Sequence, residues 1–224
     1  MNFKHEPIDL GYNDLVAVTS KSGRVYTDPD NNKYPSITTV LSILSEEAIK
    51  AWRARVGEEE ANRISKTAST RGTAVHDLLE RYVNNDPEFD KGVMPHIMQS
   101  FYDVKHVLDN CLTKVYAQEA GLYSKHLGVA GRVDCVGQWE GVNSIIDYKT
   151  SKKLKKKEWV HGYFMQCAAY AIMWEERTGM PIKQLVVCIA VDNEDPQIFI
   201  EDRDNWTNKP VSYTHLTLPT TPYV

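Results

Sequence analysis

The chain has 224 residues, of which 42% are apolar and 25% charged, with 12 Gly and 10 Pro. This composition excludes a collagen-like, low-complexity or disordered chain, and the length suits one domain of about 200 residues, or two small ones, with a buried core. A formal net charge of −4 offers no bulk attraction to a polyanion, so a nucleic-acid partner would have to be held by a local basic patch or by metal ions. No apolar run reaches the roughly 18 residues of a membrane span. The opening Met1-Asn2-Phe3-Lys4-His5-Glu6-Pro7 lacks the apolar core of a signal peptide. Cys111, Cys135, Cys167 and Cys188 have no C-x-x-C spacing and sit in apolar stretches. They read as reduced, buried thiols of a cytoplasmic protein, not as a disulfide frame or a zinc site.

In chain order, Leu15 to Val18 and Arg24 to Thr27 predict a hairpin across Ser22-Gly23, followed by a loop over Asp28-Pro29-Asp30-Asn31-Asn32. Helices are expected over Thr38 to Leu44 and Glu46 to Val56, the second capped by Ser45 with Glu46 and Glu47 in its first turn. Two more follow, Glu58 to Thr67 and Thr70 to Val83, then one from Pro95 to Leu112. Lys114 to Ser124, Val129 to Trp139 and Ser144 to Thr150 are β-type runs. Glu158 to Thr178 predicts a long helix stopped by Gly179 and Pro181, and Lys183 to Val191 and Gln197 to Glu201 predict two more strands. The order implies an α/β fold with a mixed central sheet and an N-terminal helical layer. The division expected is a hairpin and loop over 1–33, a domain over 34–210 and a tail over 211–224. The tail has no Asp, Glu, Lys or Arg; it resembles translated sequencing-adapter read-through and is read as non-native.

The most informative segment is Gly131-Arg132-Val133-Asp134-Cys135-Val136-Gly137 followed by Ile145-Ile146-Asp147-Tyr148-Lys149-Thr150-Ser151. A four-residue turn, Glu140 to Asn143, would pair Asp134 with Lys149 and Val136 with Asp147. Asp134, Asp147 and Lys149 then share one face, the carboxylates diagonal and about 7–8 Å apart at the backbone. Two aspartates within apolar strands demand a counter-charge. A hard divalent cation supplies one; an ion pair from Lys149 or Arg132 supplies another. A one-residue slip of register would part the acids onto opposite faces.

Other residues add to this pair. On the helix containing Arg71-Gly72-Thr73-Ala74-Val75-His76, His76 borders the apolar stripe, where a helix-border role and a metal ligand are both open. Gly72, one turn earlier, permits close approach. Gln166 and Tyr170 stand i and i+4 on one helix face. Glu119, on the strand before Asp134, either joins the acids or is solvated. Lys152, Lys153, Lys155, Lys156 and Lys157 form a solvated loop or a grip for phosphates.

Together these residues resemble the PD-(D/E)XK nuclease superfamily in its RecB-like branch, with its phage exonucleases and mitochondrial genome maintenance exonucleases. Its pattern of G-x-x-x-H, G-x-x-D, D-x-K and Q-x-x-x-Y stands here as Gly72…His76, Gly131…Asp134, Asp147…Lys149 and Gln166…Tyr170, in order. The run Tyr34-Pro35-Ser36-Ile37-Thr38-Thr39-Val40-Leu41 is also similar to the start of the phage enzymes. Val133 stands where the superfamily's name has proline. The resemblance implies a restriction-endonuclease-like core and a Mg²⁺- or Mn²⁺-dependent DNA exonuclease. It implies metal held by His76, Asp134, Asp147 and the Tyr148 carbonyl, with Glu119 a further candidate. Lys149 would orient or activate the water, Gln166 and Tyr170 would position Lys149 or meet the DNA backbone, and Arg71, Gly72, Thr150, Ser151, Lys152 and Lys153 would contact DNA. The four cysteines do not match the layout of the related iron–sulfur nucleases, so no cluster is expected. No base-reading element is evident. A phage origin, action in the host cytoplasm and partnership with recombination or replication proteins follow from the same likeness. A structure-specific endonuclease of the same fold and an inactive DNA-binding module are the alternatives. An enzyme on small phosphorylated substrates would need a glycine-rich phosphate loop.

Overall fold

The computed structural model describes residues 2–207; the tail read as non-native lies outside them. The chain forms β1 (Val16–Ser20), β2 (Gly23–Thr27), β3 (Lys33–Pro35), α1 (Ile37–Ser42), α2 (Glu46–Val56), α3 (Glu58–Val83) and α4 (Pro95–Cys111). It continues through β4 (Leu112–Ser124), β5 (Val129–Trp139), β6 (Val142–Ser151), α5 (His161–Thr178), β7 (Gln184–Val191) and β8 (Gln197–Asp202). β1, β2 and β3 make a small antiparallel sheet, and β4-β5-β6-β7-β8 make the main one. Among the described strands of the main sheet, β6 and β7 alone pair in parallel, because the α5 crossover returns the chain in the same direction. The architecture is α/β with a mixed central sheet flanked by helices.

Strand alternation distributes the core over both faces. Along β7, Leu185, Val187, Ile189 and Val191 pack on the side of α1 and α5, while Val186, Cys188 and Ala190 pack on the side of α3 and α4. An interior strand covered on both faces reads as the near-continuous apolar run seen in the sequence. The small sheet is tied to the large one through Tyr26, Tyr34, Tyr123 and Ala130. β3 straddles the boundary expected at residues 33 and 34.

Several expectations are corrected. The helices foreseen at Glu58 to Thr67 and Thr70 to Val83 are one continuous 26-residue helix; Ser69 and Thr70 are weak helix formers, but neither breaks a helix. Ser45 does not cap α2 with its side chain; its hydroxyl donates instead to the Ser42 carbonyl at 3.0 Å. The long C-terminal helix begins at His161, preceded by a 3-10 turn over Lys157–Trp159. Cys111 is half-buried, unlike the other three free thiols.

The β5–β6 hairpin is two residues tighter than the four-residue turn, with Trp139 opposite Val142 and Cys135 opposite Ile146. Glu140 and Gly141 alone make the turn, with φ of 50° and 82°, the positive-φ pair of a type I′ hairpin. A glutamate at the first of these positions gives little turn signal. Side chains alternate with period two, so a two-residue slip leaves Asp134, Asp147 and Lys149 on their expected faces.

Two β5 glycines carry packing rather than flexibility. A methyl group at Gly131 would lie 2.7 Å from a ring carbon of Tyr170, so this glycine lets α5 lie against the strand. At Gly137 it would lie 2.3 Å from the Lys114 carbonyl oxygen, a backbone atom that cannot rotate away. Gly137→Ala is therefore expected to cost about 1–3 kcal/mol. Thermal denaturation checks this, and an unchanged melt would contradict it.

Candidate active site

The site opens where the β5–β6 ladder ends beyond Cys135 and Ile146. Asp134 and Asp147 are the next residues on the two strands. Asp134 Oδ2 accepts the Tyr148 backbone N–H at 2.8 Å. On the other side of β5, the pairs Gln118 with Cys135 and Ala120 with Val133 put Glu119 level with Asp134. Glu119 has φ of 44°, a departure from strand geometry that marks a local irregularity. From above the strand ends, α3 supplies His76, whose Nδ1 stands 3.5 Å from Asp134 Oδ1. Ligating atoms of His76, Glu119 and Asp134 all lie within 4.8 Å of one another.

Beside this trio stands a second, more buried group. Lys149 Nζ is 2.5 Å from Asp147 Oδ2, and Asp147 is 1% exposed. Gln166 on α5 donates to Asp147 Oδ1 at 3.2 Å and lies 3.4 Å from the Tyr170 hydroxyl. The Q-x-x-x-Y spacing thus places a clamp on the acid that pairs with Lys149. Both groups border one cleft of about 610 Å³, with α3 residues Gly72, His76 and Glu80 on one wall and Gln166 and Tyr170 on the other.

The electrostatics separate the carboxyls. Burial would raise Asp134, but the His76 ring and the Lys149 ammonium outweigh it and hold Asp134 below the ordinary carboxylate value. Burial opposes a charged His76; its bond to Asp134 outweighs that and raises its pKa. Glu119 is pushed up to about 7, by burial first and then by the charges of Asp134 and Glu80. Asp147 rises to about 6, burial dominating while Lys149 pulls down and Asp134 pushes up. The Lys149 ammonium, though desolvated, is raised by Asp147 and Asp134, so it stays charged throughout the neutral range. Two oxygen donors and an imidazole in mutual reach, with repulsion between the acids that a cation would relieve, fit a hard divalent ion.

Some candidates from the sequence are engaged elsewhere. Asp147 is outside this trio among the described residues; one of its oxygens is paired with Lys149. Arg132 is not the counter-charge of the aspartates: it pairs with Asp14 at 2.6 Å and donates to the Glu119 carbonyl. Arg71 turns out of the cleft to pair with Asp192 and donates to Ser100 at 2.9 Å. Ser151 donates to the Lys153 carbonyl at 2.6 Å. Thr150 lies near Gly72, where an added methyl would come 3.9 Å from its hydroxyl. Lys152 and Lys153 are exposed. The structure adds Arg24, Tyr26, Ser36 and Thr38 to the cleft wall. Ser36 and Thr38 lie in the Tyr34-to-Leu41 run, which carried a family likeness but no site expectation; the small sheet's contribution had no local signal.

A family model of the PD-(D/E)XK nuclease superfamily matches residues 46–209. The chain belongs to this superfamily of nucleases, as the acidic hairpin and its lysine indicated. Mitochondrial genome maintenance exonuclease 1 of Homo sapiens is 28% identical over 134 residues, covering 55% of this chain and 38% of the relative. The Mus musculus protein of the same name is 24% identical over 152 residues, covering 60% of this chain and 45% of the relative. The chain thus matches less than half the length of these curated relatives. Among solved structures, a candidate exonuclease from Eubacterium rectale superposes with a TM-score of 0.46 at 15% identity, covering 66% of this chain and 64% of that one. No helix among the described residues is long and apolar enough to cross a membrane.

Proposed function

We propose that the protein is a deoxyribonuclease that hydrolyses phosphodiester bonds with a divalent cation, Mg²⁺ or Mn²⁺, and acts from DNA ends as an exonuclease. The observation that carries this is the convergence of His76, Glu119 and Asp134 beside the Lys149–Asp147 pair at an open cleft. The exonuclease activity of the relatives supports the direction of the reading. When bound, the cation lowers the pKa of a water and neutralises phosphate charge.

The chain's own groups do the rest. His76, Glu119 and Asp134 would hold the cation, and Glu119 would have to give up its proton to do so. Lys149 is charged, so its role is to orient the attacking water and stabilise charge on the phosphate, rather than to act as a base. Asp147, fixed by Gln166, aims the ammonium at the cleft. Asp147 and the Tyr148 carbonyl, implied as ligands by the motif likeness, take second place to the trio in this assignment. Thr150, Lys152 and Lys153 would meet backbone phosphates. Origin in a phage, action in the host cytoplasm, a part in recombination or repair, and protein partners rest on the motif likeness alone.

Incubating end-labelled linear and circular DNA, single- and double-stranded, with Mg²⁺, Mn²⁺ or EDTA tests the proposal. Linear DNA is expected to shorten from its ends while circles survive, with EDTA stopping the reaction and Mn²⁺ restoring it. Cut circles would replace the exonuclease with an endonuclease of the same fold. Cleavage that continues in EDTA would remove the cation. An inert wild-type chain that binds DNA would leave the binding-module alternative.

A further inference from the structure

The cleft does not end at Gln166. That residue also lines a second groove, of about 550 Å³, between the Ile43–Ser45 turn and the start of α5, shared by Leu41, Leu44, Trp159 and Tyr163. Neither packing nor the proposed chemistry uses the most exposed of these side chains. Trp159 ends the 3-10 turn with 61% of its surface in water, although an indole gains most by being covered. Lys156 Nζ lies 5.6 Å from its ring centroid, within the lysine run from Lys152 to Lys157. Tyr163 follows along the groove, its ring centroid 5.3 Å from the Lys149 ammonium. Two ring–ammonium pairs, Lys156 on Trp159 and Lys149 on Tyr163, therefore stand along the groove that leads to the reacting centre. This is the pattern by which proteins hold unpaired nucleotides, bases stacked on rings and phosphates on cations.

We propose that Trp159, with Lys156 beside it, is a stacking platform for a base of single-stranded DNA, holding an unpaired nucleotide next to the cleft. The inference rests on the nuclease reading of the same cleft and deepens it by naming the substrate class. A base within a duplex has both faces covered by its neighbours and cannot use the indole, so the platform favours single strands.

Fluorescein-labelled dT20, a duplex of equal length and a dT20 analogue made of abasic sugars, each titrated in EDTA, test this with wild type, Trp159→Ala and Trp159→Phe. Trp159→Ala is expected to weaken dT20 binding about tenfold, leave the duplex and abasic strands unchanged, and raise KM for single strands with kcat retained. Trp159→Phe should keep most of the affinity. Wild-type affinity for dT20 in Trp159→Ala would overturn the platform, as would an equal loss on the abasic strand. Should the alanine variant not fold, quenching of wild-type tryptophan emission by dT20 decides: quenching reduced in Trp159→Phe supports the platform, and its persistence there contradicts it. A wild-type chain that binds dT20 through Trp159 but does not cleave it would refute only the catalytic reading. A chain that cleaves with no dependence on Trp159 would refute only the platform.

Discussion

Lys149→Ala is expected to lower DNA cleavage by about 10²–10⁴-fold, with the loss in kcat rather than KM, as for removal of a charge-stabilising donor or a proton-handling group. Lys149 stands on the acidic hairpin, 2.5 Å from Asp147 Oδ2, and it borders the cleft. The same geometry says the substitution also costs stability. Asp147 is buried, and without Lys149 its charge has no cationic partner at that oxygen, a situation that costs about 3–5 kcal/mol in buried pairs. The carboxyl can escape this cost by taking up a proton, since its pKa is already raised. With the folded pKa above the unfolded one, stability is fully present below the unfolded value and is lost as pH rises through the folded value. Lys149→Ala should therefore melt closer to wild type at pH 6 than at pH 8. Single-turnover cleavage and melts at both pH values check the two halves. Full activity would remove Lys149 from the chemistry, and an equal destabilisation at both pH values would remove the burial argument. Asp147→Ala should abolish activity as well, with the fold retained, because it frees the ammonium from its orienting partner.

Glu119→Gln is expected to stabilise the metal-free protein at pH 8 while weakening its response to cations. Glu119 titrates at about 7 in the fold against an ordinary 4.5, so its contribution is present below 4.5 and is lost as pH rises through 7. Allowing for solvent screening of this half-buried group, the cost at pH 8 is about 1–2 kcal/mol. His76 and Asp147, also raised, lose stability in the same direction. Asp134 is lowered and acts oppositely, losing its contribution only in acid. The metal-free protein should therefore be most stable at mildly acidic pH. Saturating Mn²⁺ should reverse this trend, because the bound form needs the deprotonated carboxylate. Melting curves of wild type and Glu119→Gln across pH 5.5–8.5, with and without Mn²⁺, measure both effects. A wild-type melt that rises with pH in EDTA would contradict the assignment.

The face shared by Asp134, Asp147 and Lys149 was legible because strand alternation has period two, and it survived a wrong turn length for the same reason. The turn itself was not legible: Glu140 occupies a positive-φ position usually held by asparagine, aspartate or glycine. Gly131 was visible as part of a motif, but its reason, the Tyr170 ring lying against the strand, needs α5 in place. The partition of the acids, Glu119 and Asp134 toward His76 and Asp147 toward Lys149, is accompanied by an irregular backbone at Glu119, which no local pattern announces. Arg71 carried a suitable charge beside Gly72, but its ion pair with Asp192, far along the chain, turns it away. The wall made by Arg24 and Tyr26 comes from strands remote in sequence, where short polar hairpins carry no functional signal.

One divalent cation is expected to bind at His76, Glu119 and Asp134. Mn²⁺ titration followed by electron paramagnetic resonance, in wild type and Asp134→Asn at pH 7.5, tests it most directly. Stoichiometric uptake by the wild type and its loss in the variant are expected, with the fold intact by circular dichroism. Equal Mn²⁺ uptake by both proteins would contradict it.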